Sequence, residues 1–129
     1  MYEITVHTVI SASHHLRNYT GKCENPHGHN WKIEATVRCA ALDHVGLAMD
    51  FGVLRQHLTE VCEEFDHTDL NSHEAFLTQN PSSENLARVI FMRLKTALVQ
   101  APVTVERIRV FETEGSAASY SDDDLSGNP

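Results

Sequence analysis

Apolar and polar residues alternate over residues 2–12, with Ile4, Val6, Thr8, Ile10 and Ala12 on one face, the period-2 signature of a β-strand. The alternation gives way to a polar stretch, residues 13–30, punctuated by Asn18, Gly21, Asn25, Pro26 and Gly28. It reads as a long loop, and a loop of that length in a compact chain points to function. Over residues 29–41 the alternation returns. Trp31, Ile33, Ala35, Val37 and Cys39 share one side, and Lys32, Glu34, Thr36 and Arg38 the other, as in an antiparallel strand with one wet face.

After Asp50 the spacing changes to three and four. Phe51, Leu54, Leu58, Val61 and Phe65 form a helical stripe with Asp50 as N-cap. Residues 67–80 read as a second irregular connection. Ser82 then caps a second helix that buries Leu86, Ile90, Leu94 and Leu98, and Pro102 stops it. A strand over residues 103–113 slips in phase between Val105 and Ile108, which suggests a β-bulge. A short strand follows near residues 117–120. The order β-β-α-α-β-β predicts an α+β fold in which both helices cover one face of an antiparallel sheet. Four strands leave two open edges, so pairing with further copies is expected. One domain over residues 1–120 and an acidic disordered tail over 121–129 complete the reading.

Composition narrows the function. A chain of 129 residues with net charge −8 lacks the clustered cations that nucleic acid requires, and Asp122, Asp123 and Asp124 supply three of the negative charges. An anionic substrate would need a local cationic cluster or backbone amides. No apolar run approaches the ~20 residues of a membrane span. Glu3 and His7 interrupt the segment where a secretory leader needs unbroken apolar residues, so the cytoplasm is the expected location. The three cysteines form no CxxC pair. Cys39 and Cys62 fall on apolar faces and read as core residues, whereas Cys23 has polar surroundings.

The polar loop holds the chemistry. In extended backbone residues i and i+2 point the same way, so His27 and His29 can reach one ion, with Gly28 keeping side chains out of the way. His14 follows the first strand, whose end can lie beside the start of an antiparallel neighbour. Three neutral imidazoles with an open position make up a catalytic zinc site, although imidazole also suits copper and nickel. His15 points elsewhere in extended chain. Cys23 is four residues from His27 and next to Lys22. It can be a thiolate base or nucleophile activated by the adjacent charges, or a fourth ligand closing a structural site.

Several strings together resemble a known family. They are Ser11-Ala12-Ser13-His14, Cys23-Glu24-Asn25-Pro26-His27-Gly28-His29-Asn30-Trp31, Met49-Asp50-Phe51, Asp66-His67, Pro81-Ser82-Ser83-Glu84-Asn85-Leu86-Ala87 and Val110-Phe111-Glu112-Thr113. The family is that of 6-pyruvoyl-tetrahydropterin and 6-carboxy-tetrahydropterin synthases, and the resemblance covers nearly the whole chain apart from the tail. It implies the T-fold, three subunits closing a barrel, two trimers stacking into a hexamer, and active sites between subunits. It also implies zinc on His14, His27 and His29, Cys23 as catalytic base, and Asp66 and His67 as a proton relay. Glu112, with Thr113 beside it, would anchor the pterin of 7,8-dihydroneopterin triphosphate.

The short C-x3-H-G-H loop resembles the carboxy-forming, queuosine-pathway branch more than the longer-looped pyruvoyl branch. Glu24, however, also gives E-x2-H-G-H, which resembles a third branch that makes 6-hydroxymethyl-dihydropterin for folate synthesis. Both signatures stand in this chain, and either Cys23 or Glu24 can be the working base. Two other readings are a pterin- or purine-binding module without catalysis and a zinc hydrolase built on the same histidines.

Overall fold

The computed structural model describes residues 1–19, 21 and 25–122. Among these residues five strands form one sheet: β1 Tyr2–His14, β2 His27–Cys39, β3 Thr68–Asp69, β4 Thr104–Thr113 and β5 Ser116–Tyr120. Helices α1 Phe51–Cys62 and α2 Ser83–Ala97 lie between β2 and β4 in sequence, with two short 3-10 turns, Leu70–Ser72 and Glu74–Phe76, between them. The spatial order is β3-β1-β2-β4-β5, with β1, β2, β4 and β5 antiparallel in succession. The α+β class expected from the residue pattern therefore stands.

Period-2 patterning builds the core. Val6, Ile10 and Ala12 of β1, Trp31, Ile33, Ala35 and Val37 of β2, and Ile108 and Val110 of β4 are all buried. They face Leu54, Leu58 and Cys62 of α1 and Leu86, Ile90, Phe91 and Leu94 of α2. The caps are those the sequence offers. Asp50 accepts from the amides of Gly52 and Val53, and Ser82 from that of Asn85, which satisfies donors that have no partner inside the helix. The slip in β4 is also present: Thr36 pairs with Arg107 but Val37 with Val105, leaving Glu106 as the extra residue.

Three expectations change. The loop is shorter than residues 13–30, because β1 runs to His14 and β2 starts at His27. β3 was not legible: Thr68 and Asp69 pair in parallel with Ala12 and Ser13, a ladder too short to leave a pattern. Phe51, placed on the buried stripe, is 55% exposed, and the burial falls to Leu54, Leu58, Cys62 and, past the helix end, Phe65. Residues 123–129 of the expected tail lie outside the described residues.

Candidate active site

The sheet face that carries the core also carries the histidines. His14 is the last residue of β1 and His27 the first of β2, and the register sets them directly opposite each other. His29 is one period further along β2, on the same side as Trp31 and Ile33. The apolar stripe of each strand thus turns into a stripe of imidazoles at one end of the sheet. Ring centroids are 4.5 Å apart for His14 and His27, 4.8 Å for His27 and His29, and 5.3 Å for His14 and His29. The buried Trp31 ring packs edge-on against His14 and His29, and its indole N–H donates to the Ala12 carbonyl at 3.1 Å.

Backbone carbonyls orient two of the rings. His14 Nδ1 lies 2.7 Å from the Pro81 carbonyl, and His27 Nδ1 lies 2.7 Å from that of Asn25. With the proton on Nδ1, each Nε2 presents a lone pair to the centre, the usual way a ligating histidine is fixed from behind. Glu112 of β4 brings Oε2 to 2.8 Å from His29 Nε2, 3.4 Å from His14 Nε2 and 3.9 Å from His27 Nε2. Ser83, the first residue of α2, donates its hydroxyl to Glu112 Oε1 at 3.4 Å.

One nitrogen from each ring and one carboxylate oxygen lie within 4.8 Å of one another, so the four residues can hold a metal ion. Despite the short distances to Glu112, Nε2 of His14 and of His29 are buried without a hydrogen bond of proper geometry among the described residues. Buried acceptors without donors are costly in a protein and are what a cation would satisfy. Burial is the main cause lowering the pKa of His29, with His14 and His27 adding to it and Glu112 opposing. The neutral, ligating form is therefore favoured.

The remaining candidates sit elsewhere. Asp66 and His67 form a corner ahead of β3: Asp66 Oδ1 accepts from the Ser11 amide at 2.8 Å and lies 3.1 Å from His67 Nδ1. His67 has φ of +59°, in the left-handed region, and its side chain is 80% exposed. It shares a cavity of about 520 Å³ with His29, Asn30 and Ser13, but it is not among the groups that converge on the metal position. Thr113 ends β4 and lines a separate cleft with Asn30, Lys32 and Phe111. Cys23 and Glu24 lie outside the described residues. The steric reason offered for Gly28 does not hold, since a Cβ there would meet only the Ala12 carbonyl at an ordinary 3.9 Å. The sequence did not reveal the carbonyl behind His14 or the contact between Ser83 and Glu112. Burial of Cys62, with Asp66 and Glu64 adding, pushes its thiol up to about 12, as fits an inert core residue.

A largely antiparallel sheet with two helices on one face and three imidazoles converging at its end defines an α+β protein with a histidine cluster able to hold a metal ion. Residues 3–123 match the family described as 6-pyruvoyl tetrahydropterin synthase, and the chain belongs to that family. It is 36% identical over 116 residues to a 6-carboxy-5,6,7,8-tetrahydropterin synthase of Synechocystis, covering 86% of each chain. It is 31% identical over 126 residues to a protein of the same name from Bacillus subtilis, covering 92% of this chain and 84% of that one. Among solved structures, 6-pyruvoyl tetrahydropterin synthase of Caenorhabditis elegans superposes with a TM-score of 0.79 at 27% identity, covering 95% of this chain and 98% of that one.

Proposed function

We propose that this chain is a zinc-dependent lyase that remodels the side chain of 7,8-dihydroneopterin triphosphate, with 6-carboxy-5,6,7,8-tetrahydropterin as product. The observation that carries the reading is the convergence of three imidazoles on one point, two of them oriented by backbone carbonyls and two with buried, unpartnered Nε2 atoms. Three nitrogens with a further place are the donor set of a catalytic zinc ion. Bound there, zinc supplies Lewis acidity that makes the substrate's side-chain hydroxyls easier to deprotonate. The names of the relatives from Synechocystis and Bacillus subtilis support the carboxy product. The queuosine pathway and a cytoplasmic setting are part of the same proposal.

The chain's own residues divide the work. Cys23 takes the proton that starts rearrangement of the side chain. His67 passes protons on, since an imidazole can take a proton at one ring nitrogen and give one from the other, and Asp66 orients its ring through Nδ1. Glu112 and Thr113 receive the pterin, the carboxylate accepting two hydrogen bonds from the amino-pyrimidine edge. Because Glu112 also stands at the imidazole cluster, the anchor is within reach of the metal position.

The exposed His67 completes the site from a neighbouring copy, in a hexamer of two stacked trimers. The edge of β1 over residues 2–10 and the outer edge of β5 have no partner strand among the described residues, which is what such pairing needs.

The test is mass spectrometry of products after zinc-loaded protein meets 7,8-dihydroneopterin triphosphate. The 6-carboxy product with acetaldehyde is expected, and Cys23→Ala should abolish it. A 6-hydroxymethyl product would transfer the chemistry to Glu24 and the pathway to folate. Tight pterin binding without turnover would make the chain a binding module.

A further inference from the structure

A trough of about 580 Å³ lies between the end of α1, the segment from Ala75 to Gln79, and α2, and the imidazole cluster does not line it. Its polar lining is Glu64, Gln79, Arg88, Arg93 and Thr96, and its apolar lining includes Val61, Val89 and Met92. In a chain of net charge −8 with ten Lys and Arg in all, two guanidiniums facing one cavity are a local reversal of sign. Glu64 answers only one of them: its Oε1 takes Arg93 at 3.2 Å and also lies 2.8 Å from His73 Nε2. Arg88 donates to a neutral acceptor, Gln79 Oε1, at 2.6 Å.

Donors remain over. A guanidinium has five N–H groups in a planar fork, and each arginine uses few of them here. The Nε of Arg93 is buried with no hydrogen-bond partner among the described residues, and the guanidinium lies over the Phe65 ring at 5.8 Å. Met92 is 45% exposed on the same lining, so apolar surface is also left open. Two guanidiniums against one carboxylate leave a single positive charge, which matches a monoanion. A phosphate dianion would overcompensate it beside Glu64. The volume falls within the roughly 300–1,000 Å³ of small-molecule sites.

We infer that this trough binds small aromatic carboxylates, with the carboxylate between Arg88 and Arg93 and the ring against Val89 and Met92. The site is independent of the pterin reaction, and its test does not require turnover. Full-length protein labelled with nitrogen-15 is titrated with benzoate while the arginine Nε–H signals are followed, with benzylamine and benzyl alcohol as controls. Saturable shifts at Arg88 and Arg93 with benzoate alone are expected. Arg88→Gln should weaken binding by about tenfold or more, while Arg55→Gln, at an exposed position on α1, leaves it unchanged. Should Arg88→Gln lower the melting temperature, Met92→Gln replaces it, with weaker benzoate binding again expected. No saturable shift up to about 10 mM, an equal response to benzylamine, or unaltered affinity in the variant used would overturn the inference.

Discussion

The imidazole cluster and the corner at Asp66 and His67 are built on opposite principles. His14, His27 and His29 continue the core-facing stripes of two long strands, and His14 is as buried as the apolar core, at 2% exposure. Carbonyls behind two rings and the Trp31 indole beside two of them hold the cluster before any ligand arrives. His67, by contrast, is held in a left-handed backbone conformation with its side chain 80% exposed. A non-glycine residue in that region costs on the order of 1–3 kcal/mol and persists only where its surroundings impose it. Here the Asp66 carboxylate and the His67 amide both bind the backbone of Ser11 and impose it. One region is preorganised within a single chain. The other is pushed outward, and outward placement is useful when a second surface supplies what it acts on.

The largest effect is expected from His14→Ala. Loss of the ligand fixed by Pro81 should weaken zinc binding by about a thousandfold or more, read by competition with a chelating dye, and loss within about tenfold would show that the cluster is not the metal site. Next is Trp31→Phe, which keeps a ring against the histidines but leaves the Ala12 carbonyl without its indole donor. A loss of about 1–3 kcal/mol in urea unfolding is expected. No change would mean that the indole does not support the cluster.

The corner should respond in the opposite sense. His67→Gly relieves the left-handed strain, so stability should hold or rise by up to about 1 kcal/mol while turnover falls. Equal losses of stability and turnover would make the corner merely structural.

The smallest effect is with pH. Burial lowers the pKa of His29 below the ordinary 6.5, so the unfolded chain binds a proton that the folded chain refuses. The contribution is complete above pH 6.5 and is lost as pH falls from there towards the lowered folded pKa. Metal-free protein should therefore unfold at lower urea concentration at about pH 5.5 than at about pH 7.5, and His29→Gln should reduce that difference.

What the residues disclosed follows from how local each cause is. Helix starts at Asp50 and Ser82 were legible because a cap bonds to amides two or three residues away. The bulge at Glu106 was legible because an extra residue must shift the apolar phase. His27 and His29 were legible as a pair because strand periodicity alone aims them together, and His14 because antiparallel strands meet at their ends. What stayed hidden depends on distant parts of the chain. The Pro81 carbonyl behind His14 comes from 67 positions away and leaves no mark on residue type. The same holds for Ser83 at Glu112 and for the parallel ladder of Thr68 and Asp69 with β1. The strained backbone of His67 also went unread, because histidine, though commoner at positive φ than most side chains, does not require it.

The most direct test of the central claim is the turnover of 7,8-dihydroneopterin triphosphate by chelator-stripped protein, before and after addition of zinc. The account predicts negligible turnover in the stripped protein and recovery that levels off at one zinc per chain. Full turnover by protein verified as metal-free would contradict it.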